Sequence, residues 1–224
     1  MSTTEQNYHL FSVDEKTGIQ ALGREELMPN SPGKVRRIEY EYARHGTTCL
    51  IGGLNVCNGK LESYQIHPTR KEEDFMRFIK NLCEDIPLTD HITILLDQLN
   101  IHKSESLVKW VAERINYEGD LGTKWYKGIL KSQQSRMEFL EHPDHRIRFV
   151  FSPLHCSWLN PIENWFSKLQ RHRLTNANFD SLEHLENELK QYIDFANEWF
   201  AKPYKWKFTG FIKNYQLRGA KLRS

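Results

Sequence analysis

The sequence predicts an α/β fold: a mixed sheet, made of an antiparallel three-strand meander plus parallel strands, with helices on both faces. Strand-like alternation of apolar and polar residues comes first along the chain, and helical periodicity comes later. Asn58-Gly59 lies between two apolar runs and is a strong hairpin signal. The run from Ile92 to Leu96 is almost wholly apolar, as expected for a strand covered on both faces. With 224 residues, 39% of them apolar, the chain is long enough to bury one sizeable core.

Three antiparallel strands are predicted to open the fold. Tyr8 to Val13 alternates between apolar and polar residues, as a strand with one buried face does. The two runs beside the hairpin signal extend from Cys49 to Val56 and from Leu61 to Ile66. Together they predict a meander.

Helices and strands alternate after the meander. Thr69 and Glu72 predict a capping box for a helix that ends before Pro87. After the apolar strand, a second helix is predicted from about Ser104 to Ile115. The segment from Gly119 to Glu141 is polar and contains glycine, and we interpret it as an insertion.

The last part of the chain is predicted to contain one strand and two helices. Ile147 to Phe151 has the pattern of a short strand, a helix begins near Pro161, and Asp180 with Glu183 predicts the capped start of a long final helix. The apolar face of that helix comprises Leu182, Leu185, Leu189, Tyr192, Ile193 and Phe200. This order of elements is that of a ribonuclease H-like fold, which we assign to residues 1–200, followed by a basic aromatic tail over 201–224.

Two carboxylates fall where such a fold holds ligands. Asp97 follows the buried strand, at the edge where open α/β sheets bind ligands, although a turn residue or a helix N-cap suits the same position. Asp14 lies on the face of its strand opposite Phe11 and Val13. Glu15 is the alternative to Asp14, and the alternation favours Asp14.

A third carboxylate, Glu163, lies near the start of a predicted helix. Asn160 is a good N-cap residue and Pro161 suits the first helical position, so Glu163 falls where a capping-box acid would. Capping alone explains this spacing, and metal binding is the second interpretation. One carboxylate does not easily serve both roles, so its position in the fold decides between them.

A site formed by Asp14, Asp97 and Glu163 would need cations. Three acids that converge from two strands and a helix repel one another at neutral pH unless positive charge lies between them. Oxygen ligands suit Mg²⁺ or Mn²⁺ rather than zinc. Two such ions roughly 4 Å apart would activate a water or a 3′-hydroxyl and stabilise the leaving oxygen of a phosphodiester.

The distribution of charge, more than the net charge of +2, indicates a nucleic-acid partner. Residues 201–224 contain seven cations and no acid, with aromatic residues between them. Such stretches suit phosphate neutralisation and base stacking, and a solvated tail is the alternative interpretation. A second basic cluster follows the helix near Pro161 and comprises Lys168, Arg171, His172 and Arg173.

Four stretches of the sequence, in order, resemble the catalytic domain of bacterial insertion-sequence transposases related to the mariner group, often called DDE superfamily endonucleases. They are FSVDEKTGIQAL, EYARHGTTCLIGGLNVCNGK, ILLDQLNIHKS and SPLHCSWLNPIENWFSKLQRHRL, and the resemblance extends from about Phe11 to Trp206. It implies that Asp14, Asp97 and Glu163 are the three metal-binding catalytic acids. It also implies a reaction that nicks DNA at transposon ends and joins the freed 3′-hydroxyl to a target, typically at a TA dinucleotide.

The same resemblance implies partners. DNA is expected both as transposon ends and as target, and mariner-like relatives act as dimers, so we expect a homodimer. Thirteen residues precede Asp14, which leaves no room for the helix-turn-helix region that recognises transposon ends in the family. Either this region is encoded separately, or the sequence is a truncated catalytic remnant or the catalytic domain alone.

Two further departures from the family pattern are visible. Gln98 follows Asp97 where the family usually has asparagine, which keeps the amide but lengthens its reach. Asp97 and Glu163 are 66 positions apart (163 − 97), which exceeds the compact spacing common in the group. The predicted insertion from Gly119 to Glu141 accounts for much of the excess.

Candidate DNA contacts lie close to these motifs in the sequence. Arg44 and His45 lie in the ARHGTT stretch, for which a polar turn is the alternative interpretation. His102 follows Asp97 closely enough to face the same cleft, and hydrogen bonding at a helix start or metal ligation are its alternatives. The full set is Arg44, His45, His102, Lys103, Trp158, Lys168, Arg171 and Arg173.

The composition also excludes classes of protein. No apolar run approaches the roughly 18 residues needed to span a bilayer, and the first residues do not resemble a signal peptide. We therefore expect a cytoplasmic, bacterial, nucleoid-associated protein with no membrane partner. The four cysteines contain no CxxC pair, which argues against a zinc site and a disulfide framework, and we expect them to be buried and reduced.

Two functions remain after these observations. The first is a metal-dependent DNA transposase or endonuclease. The second is a catalytically inactive, transposon-derived DNA-binding or regulatory remnant that keeps the fold. Retention of Asp14, Asp97 and Glu163 favours the enzyme.

Overall fold

A computed structural model of the chain describes residues 7–23, 42–153 and 156–204. Five strands in these residues form one sheet in the order β3-β2-β1-β4-β5. Their bounds are Tyr8–Gly23 for β1, Ala43–Asn55 for β2, Leu61–His67 for β3, His91–Leu96 for β4 and Ile147–Phe151 for β5. Strands β1, β2 and β3 pair antiparallel, whereas β4 lies parallel to β1 and β5 lies parallel to β4. The predicted mixed sheet, with a meander followed by parallel strands, is confirmed.

Within the described ranges, five α-helices cover the sheet, with bounds Glu72–Glu84 for α1, Glu105–Arg114 for α2, Gln133–Leu140 for α3, Pro161–Leu169 for α4 and Leu182–Trp199 for α5. One apolar cluster joins α1, α2 and α3 to one face of the sheet. A second cluster joins α4 and α5 to the opposite face. Helices therefore lie on both faces, as predicted, and each face has its own apolar core.

Strand β1 is longer than its sequence pattern predicts. Its pairing with β2 shifts register between Lys16 and Ile19, where Gly18 has a φ of +67°. Before the shift Val13 faces the first apolar cluster, and after it Ile19 faces the second. An irregularity of this kind reverses the side-chain alternation, so the simple period-two pattern ends near Val13 although the strand continues to Gly23.

The predicted hairpin between β2 and β3 is confirmed. Gly59 has a φ of +78° and donates its backbone N–H to Asn55 O at 2.7 Å. Asn58 Oδ1 accepts from the N–H of Lys60 at 2.8 Å, which closes the turn with a local side-chain hydrogen bond.

The start of α1 differs from its prediction. The capping acid is Asp74 rather than Glu72: Asp74 Oδ2 accepts from Thr69 Oγ1 at 2.6 Å and from the N–H of Lys71 at 3.0 Å. The helix therefore begins at Glu72, two residues later than a Thr69 cap would place it.

Helix α5 also starts and ends differently. Its cap is Ser181, whose Oγ accepts from the N–H of His184 at 3.0 Å, and not the predicted pair of Asp180 and Glu183. Phe200 lies beyond the last helical residue and is 44% exposed, so its predicted place in the core is wrong.

The segment 119–141, expected to be a polar insertion, contributes to the core. It contains α3 and a short 3₁₀ turn, Ile129–Lys131, before it. Leu130, Phe139 and Leu140 are all buried in the first apolar cluster. Periodicity is weak here because α3 buries the polar Arg136 together with its apolar residues.

None of the helices in the described part of the chain is long and apolar enough to cross a membrane. All four cysteines are free thiols, with Cys49 and Cys83 buried. Cys57 is exposed and Cys156 is half-buried, so the expectation that all four are buried is wrong for these two. The predicted tail lies outside the described residues from residue 205 onward.

Candidate active site

The sheet places Asp14 and Asp97 side by side, at the carboxyl end of β4. Strands β1 and β4 run parallel and adjacent, with Ser12 registered against Leu95. Asp14 and Asp97 each lie two residues beyond that pair. Because neighbouring strands lie roughly 4.8 Å apart, these two carboxylates leave the sheet as neighbours.

Asp14 is buried against α4. Its side chain projects from the face of β1 opposite Val13, which confirms the alternation, and the residue is only 7% exposed. Asp14 Oδ1 accepts from the N–H of Glu15 at 2.8 Å. The pKa of Asp14 is raised from 3.8 to about 7, mainly because the carboxyl is buried. The backbone hydrogen bond lowers this pKa, whereas the negative charges of Asp97, Glu15 and Glu163 raise it further. Asp14 therefore lies within electrostatic range of both other predicted acids.

Asp97 is held in a turn directly after β4. Its Oδ1 accepts from the N–H of Leu99 at 3.0 Å, so the turn interpretation of this residue is correct. The same oxygen lies 2.7 Å from His102 Nδ1. Burial alone would raise the pKa of Asp97, but the hydrogen bonds from His102 and Leu99 outweigh it and lower the pKa. The turn fixes the carboxylate and leaves it ionised.

His102 bridges two carboxylates inside the fold. Its Nδ1 faces Asp97, its Nε2 lies 3.0 Å from Glu15 Oε1, and its ring packs on Phe75 with centroids 4.4 Å apart. Burial would lower the pKa of His102, but hydrogen bonds to Asp97 and Glu15 raise it to about 9. The side chain is fully buried, so the predicted contact of His102 with DNA does not fit its position. The alternative of hydrogen bonding at a helix start describes it better.

Glu15, the alternative to Asp14, points to the opposite face of β1. Its side chain is 1% exposed, and Glu15 Oε2 has no hydrogen-bond partner among the described residues. Sequence alternation separates Asp14 from Glu15 correctly, but it does not reveal that Glu15 reaches Asp97 through His102.

Glu163 lies in the first turn of α4, and the helix start does not use it as a cap. The Asn160 side chain makes no capping hydrogen bond, and no capping box forms. Instead, Ser12 Oγ accepts from the N–H of Ile162 at 2.9 Å. The Glu163 carboxylate is therefore free for another role, and its charge acts on Asp14 and Lys16.

Asn160 ties the start of α4 to β1. Its Nδ2 donates to Val13 O at 2.9 Å and lies 3.4 Å from Asp14 Oδ2, while its Oδ1 accepts from the Ser12 hydroxyl. The residue is 3% exposed. Sequence analysis identified Asn160 only as a cap, because the signal for its true role is a contact across the fold.

Two lysines and one amide surround the acids. Burial lowers the pKa of Lys16, and the nearby Glu163 charge opposes this effect. Burial likewise lowers the pKa of Lys103, with Asp97 opposing. Gln98 Nε2 donates to Ser152 O at 3.0 Å, which joins the ends of β4 and β5. Lys16 was missed by sequence reasoning, since a polar strand residue gives no distinctive signal.

The acids have the donor chemistry of a site for Mg²⁺ or Mn²⁺. They are oxygen ligands, and the pKa of Asp14 is raised mainly by burial and further by the neighbouring negative charges, which a cation would offset. Among the described residues, however, no group of three or more His, Cys, Asp or Glu side chains is arranged to hold a metal ion. The donor set fits the metal in kind, but the side chains do not form a closed coordination shell.

One protein family matches most of the length of this chain. The family model described as "DDE superfamily endonuclease" matches residues 9–186, which contain all three acids. The chain belongs to the DDE superfamily endonucleases. No curated protein matches the sequence.

Two solved structures resemble this DDE superfamily endonuclease in fold. The Mos1 mariner paired-end complex with Mn matches with a TM-score of 0.50 and 14% identity, over 83% of this chain and 48% of that one. The Mos1 strand transfer complex matches with a TM-score of 0.48 and 12% identity, over 86% of this chain and 48% of that one. The first likeness confirms the ribonuclease H-like fold. The chain spans about half the length of either Mos1 chain.

The predicted DNA contacts of this DDE superfamily endonuclease are spread over its surface. Arg44 pairs with Leu22 at the far end of the β1–β2 ladder, eight residues along the strand from the partner of Asp14. At about 3.3 Å per residue, Arg44 and the neighbouring His45 lie roughly 25 Å from the acids. Both are exposed, but neither lies at the candidate site.

Four of the other candidates lie on or beside α4 in the chain, and Lys103 lies in the turn after Asp97. Trp158 is 63% exposed, and Arg171 and Arg173 are exposed, the latter 3.9 Å from Glu188. Lys168 is half-buried, with its Nζ 6.0 Å from the Tyr204 ring centroid. Lys103 is only 7% exposed, so little of it is accessible to a phosphate.

Proposed function

We propose that this chain is the catalytic domain of a DNA transposase that carries out metal-dependent strand cleavage and 3′-hydroxyl strand transfer. The observation that carries this proposal is the position of Asp14, whose buried carboxyl lies within electrostatic range of both Asp97 and Glu163. Clustered, buried acids at the edge of a sheet store unfavourable charge, and a functional site is the usual reason for such an arrangement. Membership of the DDE superfamily endonucleases supports the same assignment.

In this proposal Asp14, Asp97 and Glu163 hold two Mg²⁺ or Mn²⁺ ions. When bound, such ions polarise the scissile phosphodiester and activate the attacking water or 3′-hydroxyl. The chain contributes preorganisation, since Asn160 donates towards Asp14 and His102 hydrogen bonds to Asp97. Lys16, which interacts with Glu163, supplies positive charge towards the DNA backbone. Lys103 is mostly buried and adds positive charge beside Asp97.

Finer elements of the proposal concern the biological setting. We infer a bacterial insertion sequence as the source, transposon ends and target DNA as substrates, a homodimer as the active form, and a separately encoded helix-turn-helix region for end recognition. Arg44, His45, Trp158, Lys168, Arg171 and Arg173 are proposed to contact the DNA backbone. The Mos1 mariner paired-end complex with Mn, which this chain resembles in fold, is consistent with these inferences.

Calorimetric titration of Mn²⁺ tests the proposal without requiring end-recognition DNA. We expect binding to the parent and loss of binding in Asp97→Asn. Asp144→Asn is the matched control, because this carboxylate is 88% exposed and precedes β5 at the opposite edge of the sheet. The same three proteins are then compared in a nicking assay on supercoiled DNA. No Mn²⁺ binding by the folded parent, with or without DNA, would leave the inactive remnant as the better description.

A further inference from the structure

Two large aromatic residues are exposed next to each other between α2 and α3. Trp125 is 68% exposed and Tyr126 is 80% exposed. They lie in the segment 122–131, which we call the basic tip. Contiguous exposed apolar surface of this kind is typical of interaction sites.

The basic tip has a defined shape. Thr123 and Lys127 form an isolated antiparallel bridge, with the N–H of Thr123 donating to Lys127 O at 2.9 Å. Trp125 adopts a φ of +71°, which a bulky residue rarely takes. Gly122 and Gly128 flank the bridge with positive φ, and a Cβ on either would collide with the backbone of the other strand. A strained conformation held by its surroundings is typical of functional sites.

The basic tip is attached to the candidate active site through Arg136. Arg136 Nε donates to Lys103 O at 2.7 Å, and its NH1 donates to Leu130 O at 3.0 Å. Its guanidinium carbon lies 5.9 Å from the Trp125 ring centroid. Lys103 belongs to the turn that follows Asp97, so the tip stands beside the edge of the sheet where the acids lie.

This region is rich in basic residues, although an acid, Asp120, directly precedes it and Arg136 is buried. Between Leu121 and Met137 there are four cations, Lys124, Lys127, Lys131 and Arg136, and no acid. Lys124 and Lys127 lie 3.7 and 3.3 Å from acids outside this stretch. These are surface pairs, which contribute little and give way readily to a phosphate.

We propose that the basic tip binds DNA next to the catalytic acids, with Trp125 and Tyr126 stacking on unpaired bases and the lysines contacting phosphates. Exposed aromatic rings together with cations form the usual platform for single-stranded DNA, because stacking accepts any base. The positive charge favours DNA over a second copy of this chain, whose own tip carries the same sign. This inference rests on the proposed function.

Fluorescence anisotropy with a dye-labelled single-stranded oligonucleotide of mixed sequence, and with the matching blunt duplex, tests the proposal on the full chain. We expect the double variant Trp125→Ala/Tyr126→Ala to bind the single strand about 10- to 100-fold more weakly, as stacking losses of this kind predict. The affinity of the same double variant for the duplex is expected to fall by a smaller factor. Lys127→Ala/Lys131→Ala reduces the dependence of binding on salt concentration.

Tyr8→Ala is the matched control, because Tyr8 is 72% exposed but begins β1 at the opposite edge of the sheet. Circular dichroism and light scattering of each variant report folding and oligomeric state. Unchanged single-strand affinity in a folded double variant overturns the inference, and so does a change of oligomeric state without a change in DNA affinity. A parent that binds no DNA overturns both proposals, whereas tip-dependent DNA binding without Mn²⁺ binding overturns only the enzyme.

Discussion

His102 Nδ1 lies 2.7 Å from Asp97 Oδ1, and the other nitrogen of the same ring lies 3.0 Å from Glu15 Oε1. Asp97 is thus held from inside the protein by a residue that itself is fixed by a second buried carboxylate. Hydrogen bonds behind a ligand usually set its orientation, and losing them weakens metal binding about 10- to 100-fold.

His102→Gln is therefore expected to weaken Mn²⁺ binding by about that factor while retaining Asp97. Calorimetric titration measures the affinity, and thermal unfolding verifies the fold. His142→Gln is the control, since the side chain of His142 is 52% exposed and lies between the end of α3 and the start of β5. Equal affinity in the parent and His102→Gln would contradict a role for this histidine in positioning Asp97.

The raised pKa of Asp14 predicts that the free energy of unfolding depends on pH when divalent metal is absent. Its pKa is raised from 3.8 to about 7, so between these values the unfolded chain releases a proton that the folded chain keeps. The free energy of unfolding falls as pH rises through this window, by on the order of 4 kcal/mol at most. Urea unfolding at a series of pH values measures the fall. Asp14→Asn is expected to remove it, and an unchanged pH dependence in that variant would contradict the assignment.

His102 gives a second fall of the free energy of unfolding, with the same sign as that of Asp14 but in a more alkaline pH window. Its pKa is raised from 6.5 to about 9, so its stabilising contribution is complete below 6.5 and is lost as pH rises through about 9. The same urea series, extended to alkaline pH, is expected to show this second fall in the parent and not in His102→Gln.

Asn160 is expected to matter more for stability than an ordinary helix cap. Asn160→Ala leaves Val13 O and the Ser12 hydroxyl without their partner in a buried region. Unsatisfied buried polar groups each cost about 1–3 kcal/mol, so we expect a loss of roughly 2–4 kcal/mol in urea unfolding. Asn164→Ala, on an exposed position of α4, is the matched control. Equal effects of the two substitutions would show that the tether to β1 contributes nothing.

Glu163→Gln separates catalysis from capping. Since no capping box forms at α4, this substitution is expected to change the free energy of unfolding by less than about 1 kcal/mol, the size of a helix-dipole effect. Nicking of supercoiled DNA with Mn²⁺ is expected to be lost. A large loss of stability with nicking retained would reverse both assignments.

Leu140→Ala tests whether the segment 119–141 belongs to the core. Leu140 is fully buried with the residues of α1 and α2, so its truncation is expected to cost about 2–5 kcal/mol. Leu88→Ala, at a residue 70% exposed, serves as control. A cost near zero at Leu140 would indicate a segment that packs independently of the rest.

Much of the fold was predictable because its signals are local. The hairpin at Gly59 depends on a backbone conformation that few residues adopt, and the strand before Asp97 depends on apolar side chains alone. Both are visible in a short stretch of sequence. The capping residues were less predictable, since residues equally suited to capping stand next to Asp74 and Ser181 in the sequence.

The places of the candidate acids in the fold were predictable from local patterns, whereas the side chains that contact them were not. Alternation along β1 separates Asp14 from Glu15, and the strand end identifies Asp97. The contacts from Asn160 to Asp14 and from Glu15 to His102 join residues far apart in sequence. No local pattern carries information about such pairs.

The register of β1 with β4 places Asp14 beside Asp97, and the hydrogen bonds of Asn160 seat Glu163 above β1. None of these contacts depends on the route that the chain takes between them. The 66 positions from Asp97 to Glu163 build α2 and α3 against the other face of the sheet. The length of chain between Asp97 and Glu163 therefore reflects the size of the scaffold that supports the sheet, and it says nothing of how far apart the two carboxylates lie in space.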